Sequence, residues 1–183
     1  GDLAVADAGQ PFIVAAVLSS ALPHAAAVAR AVAHGGQRVV SAYLEPLSEL
    51  ALAAGDRQAL ALLVRPLLTP EAGSAGAHAA WQMELMARLL RVAARRGQHA
   101  ADLAKGGDAL GRVWEAYPGL RGAAERLAGD DTAPVASRSA AADLLGRDPA
   151  TRQRIERELT GWLRPNRSGE LQRAAVAVLA GLG

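Results

Sequence analysis

The chain has 183 residues, enough to bury roughly 70% of its unfolded surface around a core of its own. Its apolar fraction is 51% but only 3% is aromatic, and the dominance of Ala and Leu favours helices over strands. There is no cysteine, which excludes disulfides, thiolate nucleophiles, Fe–S clusters and covalent haem attachment in this segment, and 20 basic against 18 acidic residues is near balance rather than the clustered basic excess of a nucleic-acid binder.

Periodicity and punctuation together predict about ten short helices and no alternating strand. The first helix is expected to start at Pro11, a residue suited to a first turn, and to stop before Pro23; Phe12, Ala15, Ala16 and Ser19 share its spacing. Its apolar run is too short for the ~20 residues that a bilayer requires. A second helix runs from His24 to His34 and ends at Gly35-Gly36. A third passes through Tyr43 to Ala54 with Leu47, Leu50, Ala51 and Ala54 as its apolar face, and Pro46 is expected to kink it or to mark its start.

Asp56 is placed to cap a helix over Arg57 to Leu68. The segment 69–77, with Pro70, Gly73 and Gly76, is the clearest break in what otherwise reads as one domain over 1–183. The longest helix is expected from His78 to Arg96, with Trp81, Leu85, Leu89 and Val92 inward and Gly97 as its stop. On the opposite stripe stand Glu84, Arg88, Arg91 and Arg95, the surface feature most suited to an interaction, because guanidinium forks match carboxylates and phosphates.

The glycine-rich stretch from Gln98 to Gly129 leaves room only for short helices around Trp114 and Ala123. Three further helices follow: Val135 to Leu145, Asp148 with Pro149 at a first turn through Leu163, and Ser168 to Leu182. Arg138 to Gly146 laid over Arg173 to Gly181, an offset of about 35 residues, matches Arg, Ala, Leu and Gly, which is a helical-repeat period.

The chemistry-bearing residues along the chain fall into no catalytic or metal-binding pattern. His24, His34, His78 and His99 lack the spacing of a zinc site, and Ser74 lacks the glycine and the strand of a nucleophile elbow. Lys105-Gly106-Gly107 reads as a turn rather than a phosphate loop. Glu45 with Glu49, and Asp130 with Asp131, each read as a solvated face or a cap. Arg152 with Glu156 and Arg154 with Glu158 are expected to pair along one helix, and Asn166-Arg167-Ser168 is a short sequon given no weight. Trp81, Trp114 and Trp162 read as inter-helix core.

Leu171 to Gly183, LQRAAVAVLAGLG, resembles a HEAT-repeat helix, and Val135 to Gly146 is a looser copy. Gln10 to Ser20, QPFIVAAVLSS, and Leu144 to Arg152, LLGRDPATR, resemble the helical segment of certain bacterial multidomain proteins; the resemblance covers most of the chain. In those proteins the segment lies between a β-propeller resembling sugar dehydrogenases and a C-terminal cytochrome c-like domain. The resemblance therefore implies an all-α fold, a HEAT or armadillo-like α-solenoid of antiparallel helix pairs, excised from a longer chain. It also implies a non-catalytic scaffold or protein-interaction module, with no cofactor or metal in this segment and haem c in the parent protein. The partners would be flanking domains or another protein, in an extracytoplasmic or membrane-associated setting. Two alternatives stand beside it: a nucleic-acid-binding domain of DNA-glycosylase type, motivated by Trp81 and its arginine stripe, and a free-standing peptide-binding adaptor.

Overall fold

The computed structural model describes residues 25–71 and 77–182, and every described element is a helix. The helix expected from Pro11, the Gln10–Ser20 resemblance, His24, and Ser74 with Gly73 and Gly76 lie outside the described residues. The helices are α1 (Ala25–His34), α2 (Gly36–Ala54), α3 (Arg57–Leu68), α4 (Ala80–Ala94) and α5 (Ala100–Ala104). They continue with α6 (Ala109–Trp114), α7 (Tyr117–Gly129), α8 (Val135–Gly146), α9 (Arg152–Trp162) and α10 (Gly169–Leu182). None is long and apolar enough to cross a membrane among the described residues. The described residues divide into two compact units, 25–69 with Arg88–Tyr117, and 70–71 and 77–87 with 118–182.

In the first unit α1 packs on both α2 and α3, α2 packs on α3, and α3 packs on α6. Helix α2 starts at Gly36, well before the proline that the sequence offers as a candidate start, and runs through Pro46. Proline donates no hydrogen bond to the carbonyl one turn back. Tyr43, Leu44 and Leu47 flank it at 0–2% exposure, so the face carrying the break is anchored by the core. Leu50 is only half-buried and Ala54 is exposed; the buried face consists instead of Val39, Val40, Tyr43, Leu44, Leu47, Ser48 and Ala51. At 19 residues α2 also exceeds the 15 of α4, the helix expected from the sequence to be the longest.

Local signals set the ends of these helices. Gly97 has φ +70°, and the N–H groups of Gly97 and Gln98 return to the carbonyls of Ala94 and Ala93, closing α4 in a Schellman arrangement. Asp56 Oδ1 accepts the Ala59 N–H at 2.9 Å at the start of α3. Asp56→Ala is therefore expected to cost about 1 kcal/mol in a urea titration; an unchanged midpoint would show that the cap contributes nothing.

Arg57, at the start of α3, ties this helix to the α5–α6 connection. Its guanidinium pairs with Asp108 and donates to the Leu103 and Lys105 carbonyls. Asp108 in turn caps α6 by accepting the Gly111 N–H at 2.9 Å. The Arg57 hydrogen bond, followed by that of Gly111, holds the Asp108 carboxyl at about 2 against an ordinary 3.8. A depressed folded-state pKa means that the clamp is intact above pH 3.8 and is lost only as pH falls through 2. An NMR titration of the Asp108 carboxyl carbon should show its midpoint well below 3.8; a midpoint at the ordinary value would mean that the clamp does not persist in solution.

In the second unit α8 packs on α9 and α10, and α9 packs on α10. Helix α9 begins at Arg152, later than the expected Asp148-Pro149 start. Asp148 accepts the Ala150 N–H at 3.0 Å and so caps a preceding turn. Helices α8 and α10, whose sequences match, do pack on each other, but burial follows a different register. Arg138 is buried whereas its sequence counterpart Arg173 is exposed, and Ala141 and Leu144 correspond in burial to Ala175 and Val178. The last carbonyls of α10 are taken by guanidinium groups, Arg147 to Gly181 at 2.9 Å and Arg152 to Leu182 at 2.8 Å.

Candidate functional site

Of the residues expected to form an interaction surface, Glu84 is exposed on α4 in the second unit, and Arg88, Arg91 and Arg95 belong to the first. Arg88 lies 4.0 Å from Glu45, and Arg95, just beyond the end of α4, pairs with Glu49 at 2.6 Å. The two glutamates one turn apart on α2 are thus the carboxylate partners of two stripe arginines. The stripe is to that extent an intramolecular seam of exposed pairs, each contributing under about 1 kcal/mol.

The tryptophans are likewise engaged within the chain. Trp81 is only half-buried and donates its Nε1–H to Glu71 at 2.6 Å. Trp114 stacks on Tyr117 with ring centroids 5.2 Å apart. Trp162 is 3% exposed and lies beneath Arg138, whose guanidinium carbon is 4.8 Å from the ring centroid.

This last pair belongs to an arginine-lined cavity of about 300 Å³ in the second unit. Its first wall is the turn after α7. Asp130 accepts the Thr132 hydroxyl at 2.6 Å and the Thr132 N–H at 2.9 Å, bonds that hold its carboxyl below the ordinary range and fix the turn. Asp131 is thereby presented to Arg138 at 2.8 Å and to Arg167 at 3.8 Å. Arg138 projects from α8, is 5% exposed, and donates its Nε–H to the Ala128 carbonyl at 3.2 Å.

The second wall is α9, where Arg157, Glu158, Gly161 and Trp162 share one face by helical spacing. Gly161 has no atom within 4 Å of where a Cβ would stand, so this wall is open. The third wall is the α9–α10 turn carrying Arg164 and Arg167. That turn is closed by the Arg167 N–H on the Arg164 carbonyl at 3.0 Å and by the Gln172 amide on the same carbonyl at 2.9 Å.

Four guanidinium groups therefore face two carboxylates. Arg138 and Arg167 share Asp131. Arg157 donates to the Gln153 carbonyl, and neither it nor Arg164 has a carboxylate partner among the described residues. Guanidinium groups stay charged throughout the physiological range and offer planar donor forks, so this arrangement is suited to holding oxyanions rather than to moving protons.

The amino-acid pattern alone singles out none of these residues as a site. In it Arg138 stands out only through the repeat, Trp162 as core, Asp131 as a solvated face or a cap, and Arg167 within a sequon. The one usable signal is the run from Arg157 to Arg167, where Arg157, Arg164 and Arg167 are set against Glu158 alone. The expected Arg152–Glu156 pair forms at 2.8 Å, but Arg154 reaches Glu125 on α7 at 2.9 Å instead of Glu158. Among the described residues no group of three or more His, Asp or Glu is arranged to hold a metal ion. No protein-family model matches the chain, and neither a curated protein nor a solved structure does.

Proposed function

We propose that this segment is a non-catalytic helical-repeat scaffold and protein-interaction module, built as a HEAT or armadillo-like α-solenoid. The observation that carries the reading is the neighbour-to-neighbour packing: α1, α2 and α3 in one unit, and α8, α9 and α10 in the other, each lie against the next helix and the next but one. That is the pattern by which helical repeats bury faces that no single repeat can bury alone. Ala141 with Ala175 and Leu144 with Val178 correspond in burial between α8 and α10, at a separation within the roughly 20–50 residues of repeat architectures in general. The wider setting, a larger haem-containing dehydrogenase-like protein, rests on the sequence resemblance.

The fold-level role and the wider setting are tested separately. Sequencing the parent gene on both sides should reveal a propeller upstream and C-x-x-C-H downstream; continuous open reading frames with neither would remove the dehydrogenase setting. Cross-linking of the purified full chain to co-purifying proteins, followed by reciprocal purification, should return a stable partner. A substrate turnover abolished by one side-chain substitution would overturn the non-catalytic reading.

A further inference from the structure

The cavity around Trp162 carries more than packing requires. A guanidinium lying over a buried indole with its Nε–H on a carbonyl is held in a fixed orientation. Its Nη2 group pairs with Asp131 at 2.8 Å, so the lining already holds a carboxylate against an arginine. Asp131 pairs with Arg138 and Arg167. Arg157 and Arg164 line the same space, with Glu158 as the single acidic lining residue from α9 and the α9–α10 turn. The lining arginines exceed the lining carboxylates by two, equal to the net charge of the whole chain.

The geometry points to this cavity as a docking site for an acidic segment of a partner polypeptide, with a Glu or Asp side chain of the partner seated between Arg157 and Arg164 above the Arg138–Trp162 pair. Three features favour this ligand chemistry. At about 300 Å³ and open to solvent, the cavity has room for one or two carboxylate side chains of a segment lying across it. Its cations are all arginines, whose forks bind carboxylates bidentately. Asp131 and Glu158 keep two negative charges in the lining, which disfavours a polyanionic backbone more than a single carboxylate. The inference rests on the interaction-module reading and names the chemistry of its partner.

The test uses the full chain and a fluorescein-labelled hexaglutamate peptide at low ionic strength, followed by anisotropy. Binding is expected to weaken at least about tenfold in R157E/R164E and to change less than about twofold in R30E/R38E, which moves the same charge on α1 and α2. It should also fall with added salt. Both variants carry exposed substitutions, and circular dichroism melting checks that they remain folded. No peptide binding, equal binding by R157E/R164E, or tighter binding of a charge-matched single-stranded DNA would each overturn the proposal. A partner found by cross-linking whose binding survives R157E/R164E would overturn this site while leaving the interaction-module reading intact.

Discussion

Gly111→Ala is expected to destabilise the first unit strongly although it adds a single methyl group. Gly111 is buried in α6, and its N–H is already committed to Asp108. A Cβ at this position would overlap the Gly106 carbonyl oxygen, lie 3.1 Å from its carbonyl carbon and approach the Ala104 carbonyl oxygen at 3.5 Å. All three atoms are backbone, so no side chain can swing aside to make room. The connection from Lys105 to Asp108 would have to move, and Asp108 would leave both Arg57 and the α6 cap. Overpacking of this kind costs about 3 kcal/mol, or a lowering of the melting temperature by roughly 6–12 °C for a chain of this size. Gly107→Ala is the control, since no atom lies within 4 Å of its Cβ position and its φ is not positive. It should stay within about 0.5 kcal/mol of the parent. Equal melting temperatures for Gly111→Ala and the parent would show that the connection adjusts freely.

The second large effect is expected at Arg138. Replacement by Ala removes a guanidinium that lies over Trp162, donates to the Ala128 carbonyl and pairs with Asp131. The carbonyl would be left buried without this donor, and the indole face would lose both its cation and its cover. Together with the void, the cost should be about 3 kcal/mol in urea unfolding. Arg138→Met restores most of the volume without the charge and should recover about half of the loss. Asp131→Ala should cost under about 1 kcal/mol, because its side chain is 64% exposed. If Asp131→Ala proved as costly as Arg138→Ala, the ion pair rather than the stacked, hydrogen-bonded arginine would be the stabilising element.

The same physics separates features that are readable along the chain from those that are not. Asp56 at the start of α3 and Gly97 at the end of α4 act through groups three to five residues away, so the local pattern suffices. Pro46 is ambiguous in the sequence because only the missing donor is local; the burial of Tyr43, Leu44 and Leu47 that carries α2 past it depends on what packs against that helix. Arg154 has Glu158 one turn ahead and takes Glu125, which lies on α7. Arg138 matches Arg173 by letter, yet only Arg138 is buried.

Helical class and individual ends such as the Asp56 cap and the Gly97 stop were determined by the sequence itself, because backbone hydrogen bonds and glycine dihedrals close within one turn. The partners of the arginines, the face that each helix buries and the cavity around Trp162 were decided only by the tertiary structure. Asp131, Arg138, Trp162 and Arg164 come from two helices and two turns, and long, flexible guanidinium side chains select among several carboxylates at similar sequence distance. The packing of α8 against α9 is what places Trp162 beneath Arg138.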